Sequence, residues 1–128
     1  MYKNLTITSF IGVLTIILGA FGAHALKKSL TIEDLNSFET AIRYQMYHVI
    51  VLLFVNTYKG FSDKERKRIS LLFFTGILLF SGSIYAIHLT EITAKSIWFV
   101  TPFGGLFFVT GWLLMGYSFS KKKSTIDS

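Results

Sequence analysis

The sequence predicts an all-α integral membrane protein, folded as a bundle of four transmembrane helices. Hydrophobic residues make up 52% of the 128 residues and charged residues only 16%, which is more apolar than a soluble domain of this length requires. Four long apolar runs follow one another along the chain, at about 5–26, 41–58, 69–90 and 97–120. Each is close to or above the roughly 17–25 residues with which a helix crosses a bilayer. The connecting segments are too short to hold a second domain, so we expect a single domain over residues 1–128.

The first apolar run, 5–26, fits two interpretations, a cleaved signal peptide and a retained membrane helix. Lys3 ahead of the run and the small residues on either side of His24 are typical of a secretory signal peptide and its cleavage site. As a helix, the run would be about 33 Å long, enough for a hydrocarbon core of roughly 30 Å. Because the run is longer than the roughly 7–15 residues of a signal-peptide core, we expect it to be retained.

Small residues in this first helix predict a packing surface. Gly19 and Ala23 are four residues apart, and Gly12 lies two helical turns before Gly19. Small residues at this spacing allow two membrane helices to approach closely. We therefore predict helix contacts at Gly12, Gly19, Gly22 and Ala23.

The second helix is predicted to begin before the membrane and to carry polar residues into it. Thr31 is expected to be its N-cap, with Asp34 in the first turn near the positive end of the helix dipole. Glu39 and Arg43 are four residues apart, so we expect them to share a face and to neutralise each other. With the end of the first helix, this stretch predicts one polar cluster toward the outer leaflet, formed by His24, Glu39, Arg43, Gln45, Tyr47 and His48.

Two roles for this polar cluster stay open. Ionisable residues inside a membrane suggest a proton relay, an ion pathway or a ligand site. Their closeness to the outer interface favours the second role, in which they are polar contacts that set the register of the helices. His88 adds a third histidine to His24 and His48, but ligands scattered over three helices without a tight spacing are weak evidence for zinc or haem. We therefore expect no metal and no cofactor.

The third and fourth helices carry further small residues. The hydroxyls of Ser81 and Ser83 are expected to bond back to their own helix. Thr101 and Pro102 predict the N-cap and first position of the fourth helix, because proline lacks the N–H that a helix start leaves unpaired. The packing positions expected in these two helices are Gly82, Pro102, Gly104, Gly105 and Gly111.

The basic residues predict the orientation of the chain. Nine of them fall on one side of a four-span arrangement and three on the other. The nine are Lys3, Lys59, Lys64, Arg66, Lys67, Arg68, Lys121, Lys122 and Lys123, and the three are Lys27, Lys28 and Lys95. Since short basic loops stay in the cytoplasm, we expect both termini there, in a bacterial plasma (inner) membrane. The net charge of +6 then reflects topology and attraction to membrane lipid, and we expect no nucleic-acid partner.

Five motifs together resemble a known family. They are GAFGAH at 19–24, FETAIRYQMYH at 38–48, SGSIY at 81–85, TPFGG at 101–105 and GW at 111–112. They resemble the small four-span membrane proteins of the domain of unknown function 423 family, whose eukaryotic members are called transmembrane protein 256-like. The resemblance implies that the first helix is retained as a span. It implies no reaction, substrate or cofactor.

The sequence favours a non-enzymatic membrane protein that acts by packing against itself or against another membrane protein. Small residues are abundant, and no spacing joins a nucleophile to a base, so we predict no catalytic residues. The alternative is a small transporter or channel subunit that uses the outer-leaflet polar cluster. Four spans leave little room for a pathway, so that alternative requires a homo-oligomer around a shared pore. An intramembrane enzyme has the least support.

Overall fold

The computed structural model is a bundle of four helices, which confirms the predicted fold class. It describes residues 2–127, without the side chains of Ala23 and of residues 123–127. The helices are α1 (Tyr2–Leu26), α2 (Ile32–Thr57), α3 (Asp63–Leu89) and α4 (Val100–Asp127). No strand is present within residues 2–127. Because the connections are short, consecutive helices run in opposite directions.

Two of the four helices start with the side-chain caps that their sequences encode. Thr31 caps α2 as predicted, its hydroxyl oxygen accepting from the Asp34 N–H at 3.1 Å. Ser62 and Glu65 form a reciprocal capping box at the start of α3, each side chain accepting from the backbone N–H of the other at 3.1 Å. These bonds satisfy N–H groups that a helix start leaves without an intrahelical partner.

The start of α4 differs from the prediction. The helix begins at Val100, after a turn in which the Val100 N–H donates to the Ile97 carbonyl at 3.0 Å. Thr101 therefore lies inside the first turn and is not the N-cap, and its hydroxyl bonds to that of Ser83 on α3. Pro102 still falls where a helical N–H needs no partner, so the earlier start costs no hydrogen bond.

A π-helical turn interrupts each of α1 and α3. These turns cover Leu18–Gly22 and Ile77–Ser81. A π turn rotates the residues that follow it relative to a regular α-helix. Ser81 closes the second one, and its hydroxyl donates to the Ala41 carbonyl on α2 at 2.7 Å. The prediction that this hydroxyl bonds within its own helix was therefore wrong.

The core lies between α2, α3 and α4, and α1 packs against its side. One buried cluster contains Leu52, Val55, Phe61, Ile69, Phe73, Ile77, Phe108 and Met115. Among the described side chains of α1, Thr8 and Thr15 are buried, while most of the apolar ones are exposed. A large apolar surface therefore faces outward, as expected of a chain whose solvent is lipid.

Three glycines let α3 and α4 pack at short distance. A Cβ added to Gly111 would lie 2.6 Å from the Phe73 ring, and one added to Gly76 would lie 2.5 Å from the Phe108 ring. A Cβ on Gly104 would lie 2.3 Å from the backbone nitrogen of Phe80. Since real Cβ contacts are far longer, a side chain at Gly76 or Gly111 would force a phenylalanine ring to shift, and one at Gly104 would force the α3 backbone itself to shift.

The other predicted packing positions have looser surroundings. In α1, a Cβ on Gly12, Gly19 or Gly22 would lie 3.3–3.6 Å from a side chain of α2. A Cβ on Gly82 would meet its nearest atoms only at 4.0 Å. A Cβ on Gly105 would have no described atom within 4 Å, and Pro102 is exposed. Neither residue is therefore a packing position within the described chain. The side chain of Ala23 lies outside the described part.

Three of the helices, by length and composition, are able to cross a membrane. They are α1, α3 and the Val100–Lys122 part of α4. The second helix has 26 residues, long enough to cross, but Arg43, Gln45 and His48 lower the mean hydropathy of its most apolar stretch below that of the corresponding stretches in the other three helices. It is the polar member of an otherwise apolar bundle.

Candidate functional site

Three buried polar side chains on α2 connect it to the rest of the bundle. Gln45, His48 and Asn56 are only 1%, 5% and 0% exposed. They lie on the face of α2 that also buries Ala41 and Leu52, at the three- and four-residue spacing of one helical side. A buried polar group is costly unless it is hydrogen-bonded, so the partners of these three residues determine what the site can do.

Gln45 joins three helices through one amide group. Its Nε2 donates to the Thr15 hydroxyl oxygen at 2.7 Å, and its Oε1 accepts from the Tyr85 hydroxyl at 2.7 Å. The hydroxyl of Thr15 itself donates to the Ile11 carbonyl, which leaves its oxygen free to accept from Gln45. The amide orientation therefore agrees with every partner, and α1, α2 and α3 are tied together at this level.

His48 is a neutral imidazole with both ring nitrogens engaged. Its Nδ1 lies 2.6 Å from the Tyr44 carbonyl oxygen, and its Nε2 lies 3.1 Å from the indole nitrogen of Trp112. A carbonyl can only accept and an indole N–H can only donate, so the proton is on Nδ1. The ring also stacks on Phe108 on α4, at 3.7 Å between centroids and 8° between planes. No lone pair of this ring remains for a metal.

Asn56, at the other end of α2, also connects α1, α2 and α3, and it was not among the predicted site residues. Its Nδ2 donates to the Leu52 carbonyl and to the Ser70 hydroxyl oxygen, both at 2.9 Å. Its Oδ1 accepts from Asn4 Nδ2 at 3.1 Å. The sequence did contain a signal for this contact, because an asparagine at the end of an apolar run needs hydrogen-bond partners from neighbouring helices.

The predicted polar cluster is divided between two faces of α2. Gln45 and His48 face the bundle, whereas Arg43 and Tyr47 are exposed and Glu39 is half-buried. Residues four apart share a side of a helix, so 39, 43 and 47 lie on one side and 41, 45 and 48 on another. His24, at the end of α1, is exposed. The six residues therefore do not form one site.

The expected ion pair between Glu39 and Arg43 does not form within the described chain. Arg43 instead donates from Nη2 to the Thr40 hydroxyl at 2.9 Å. Among the described residues, the ion pairs join Arg66 to Asp63 at 2.7 Å and Lys122 to Glu65 at 2.8 Å. The side chains of Glu39 and Arg43 thus lie on the outer side of α2.

A groove runs beside this outer side of α2, and we call it the α1–α2 groove. It has a volume of about 420 Å³, and Glu39 lines a smaller depression of about 220 Å³ that shares Gly19, Ile42 and Arg43 with it. The groove is lined by Thr15, Ile16, Gly19, Ala20, Ile42, Arg43, Met46 and Tyr47. Its α1 wall is therefore made largely of small residues, and its α2 wall carries the exposed polar side chains.

The histidines and acidic residues are dispersed in the described part of the chain. No group of three or more histidine, aspartate or glutamate side chains there is close enough to hold a metal ion. His88 packs edge-on against Phe38, with 6.5 Å between ring centroids. The histidines and Glu39 that were considered as metal ligands are thus not brought together in the described part of the chain.

Comparison with known proteins identifies similar membrane proteins. A family model described as a protein of unknown function (DUF423) matches residues 18–105. The chain is 41% identical over 97 residues to a UPF0382 membrane protein of Staphylococcus saprophyticus, covering 76% of this chain and 79% of the relative. It is 38% identical over 123 residues to a UPF0382 membrane protein of Haemophilus influenzae, covering 95% and 97% of the two chains.

The name of a third relative states which membrane it belongs to. The UPF0382 inner membrane protein YgdD of Escherichia coli is 35% identical over 111 residues, which covers 81% of this chain and 79% of the relative. No solved structure matches the chain.

Proposed function

Because the chain belongs to the DUF423 family of membrane proteins, we propose that it is a non-enzymatic protein that acts by pairing with a second copy of itself through the α1–α2 groove. Its place is a bacterial inner membrane, with both termini in the cytoplasm. The observation that carries the proposal is the pair of opposite charges, Glu39 and Arg43, on the open side of one groove.

The charge of Arg43 argues for a partner. An arginine facing lipid costs up to about 2.5–3.5 kcal/mol at the centre of a membrane and less toward the surface. Arg43 is exposed, and the hydrogen bond that it makes to a described residue goes to the neutral hydroxyl of Thr40. A carboxylate supplied from outside the chain would lower this cost.

The groove is suited to a second copy because it is complementary to itself. In a two-fold dimer, a residue i of one chain contacts residue j of the other, and j contacts i. Glu39 of one copy can then pair with Arg43 of its partner, and the reverse pair forms at the same time. Gly19 and Ala20 on the α1 wall leave room for the approaching helix.

The buried polar side chains support a structural role. Gln45, His48 and Asn56 already bond to groups on neighbouring helices of their own chain. Since their polar atoms are engaged in these bonds, they support a role as contacts between helices.

Charge exchange tests the proposed dimer. Glu39→Arg alone places only positive charge in the interface, and Arg43→Glu alone places only negative charge there. We expect each variant to associate about 10- to 100-fold more weakly than the wild type, since facing like charges are repulsive. Subunit number is measured by native mass spectrometry of protein released from nanodiscs.

Mixing the two variants separates this dimer from a defect inside one chain. When they are co-expressed, each interface pair again joins opposite charges, so we expect heterodimers of Glu39→Arg with Arg43→Glu at wild-type yield. Glu33→Arg, an exposed change on the same helix, is the matched control and should dimerise normally. A monomeric wild type, or no rescue on mixing, would refute the proposal.

A further inference from the structure

A cleft runs between α1 and α3, with α2 as its floor. Its apolar part has a volume of about 480 Å³, with walls that include Ile7, Leu14 and Leu78. Next to one end of it is a basic pocket of about 380 Å³, lined by Lys3, Asn4, Asn56, Asp63, Arg66 and Lys67. Both pockets take walls from α1 and α3 and follow one another along these helices, which places them within reach of a single elongated ligand.

The positions of the apolar runs predict that the basic pocket lies at the level of a membrane surface. In α1 it is followed at once by the apolar run that begins at Leu5, and in α3 by the run that begins at Ile69. The apolar part continues along α1 as far as Leu14, which is about 16 Å beyond Lys3 at 1.5 Å per residue. That is roughly half of a 30 Å hydrocarbon core, or the depth of one leaflet.

The charges of the pocket favour an anion. Lys3, Arg66 and Lys67 contribute three positive charges against the one negative charge of Asp63, which Arg66 binds at 2.7 Å. The Nε–H of Arg66 is also a buried side-chain donor for which the described residues provide no acceptor. Cationic side chains and unpaired N–H donors are the groups that bind phosphate oxygens.

We propose that this cleft binds one anionic phospholipid. Its phosphate lies among Lys3, Arg66 and Lys67, and an acyl chain follows the apolar wall past Ile7 and Leu78. The headgroup end is the end of the bundle where nine basic residues are expected, so the lipid belongs to the cytoplasmic leaflet.

Native mass spectrometry with added ligands tests this site. The full-length protein in detergent is titrated with dioleoylphosphatidylglycerol, with dioleoylphosphatidylcholine and with inorganic phosphate. We expect one tightly held phosphatidylglycerol, and weaker, graded binding of phosphatidylcholine. Equal binding of the two lipids would overturn the proposal, because lipids that merely surround the protein are not selected by headgroup.

Two pairs of variants locate the site. Lys3→Gln with Lys67→Gln should weaken phosphatidylglycerol binding by about 25-fold, since each cation near an anionic lipid contributes roughly a factor of five. Lys59→Gln with Lys64→Gln removes the same charge from exposed positions outside the cleft and should have no effect. Equal losses in both double variants would indicate general charge attraction and refute the site.

The acyl-chain part is tested separately. Leu78→Trp fills the cleft and should weaken phosphatidylglycerol binding, whereas Leu113→Trp, at a similarly exposed leucine of α4, which forms no wall of the cleft, should not. Circular dichroism shows whether the lysine variants fold. If they do not, the two tryptophan variants still test the site. If inorganic phosphate displaces the lipid and Leu78→Trp has no effect, the pocket binds a free anion and the lipid proposal is wrong.

Discussion

Gln45 shows how one side chain can hold three helices. It donates to Thr15 on α1 and accepts from Tyr85 on α3, so replacing it breaks contacts on both sides. Hydrogen bonds between membrane helices contribute about 0.6 kcal/mol each on average, and about 1.7 kcal/mol at most. The larger effect comes from a buried partner that is left without a bond.

Gln45→Leu should therefore lower the free energy of unfolding by about 1–2 kcal/mol, because the Tyr85 hydroxyl then loses its acceptor. Adding Tyr85→Phe removes that hydroxyl, so the double variant should be more stable than the sum of the two single changes predicts. Unfolding by sodium dodecyl sulfate in mixed micelles measures all four proteins. Strict additivity would show that the two side chains do not interact.

The polar residues of α2 also show that residue spacing predicts which side chains share a helical side, but not what that side faces. The four-residue spacing of Glu39 and Arg43 identifies a shared side of a helix, but it does not show whether that side meets a neighbour or the lipid. Arg43 lies outward and bonds to Thr40, so the predicted ion pair is absent within the described chain. Gln45 was assigned to the polar cluster, but its three-helix contacts depend on where Thr15 and Tyr85 lie, and the sequence of α2 does not contain that information.

At the scale of the helices, close contact between α3 and α4 depends on glycine. Gly104 lies directly against the backbone of Phe80 in the π-helical turn of α3, and neither backbone can move aside as a flexible side chain would. Gly105, the next residue, faces open space. The two positions form a matched pair within one helix.

Gly104→Ala should lower the free energy of unfolding by about 1–3 kcal/mol, because the added methyl group separates the helices. Gly105→Ala should be neutral or should stabilise the protein by up to about 1 kcal/mol, since alanine favours the helical state more than glycine does. Thermal unfolding followed by circular dichroism measures the difference. Equal effects of the two changes would show that the contact at Gly104 is unimportant.

The helices themselves were largely predictable, and their irregularities were not. Long apolar runs identify membrane helices, and Thr31 identifies where α2 begins, because both signals are local. The π-helical turns have no comparable signal, so the bond from Ser81 to Ala41 could not be foreseen. The early start of α4 depends on a turn at Ile97 and Val100 that the Thr101–Pro102 pair does not reveal.

At the scale of the whole molecule, orientation in the membrane can be tested because the chain contains no cysteine. Lys59→Cys places one thiol in the loop between α2 and α3, and Lys95→Cys places one between α3 and α4. Both positions are exposed. With both termini in the cytoplasm, a maleimide that cannot cross membranes should label intact cells only at position 95.

Broken cells provide the control, since position 59 should then be labelled as well. Labelling of intact cells at position 59 and not at 95 would reverse the orientation inferred from the basic residues. Labelling at both positions would mean that α3 does not cross the membrane, which would contradict its long apolar sequence.

The polar character of α2 has a consequence for how the protein is made. Arg43, Gln45 and His48 make this helix a poor substrate for independent insertion, because each polar residue adds to the cost of leaving the translocon for lipid. Thr15 on α1 is synthesised first and can bond to Gln45 as soon as the two helices meet. Partition into the bilayer should therefore occur as an α1–α2 hairpin. In a chain that lacks α1, the second helix should fail to enter the bilayer during synthesis.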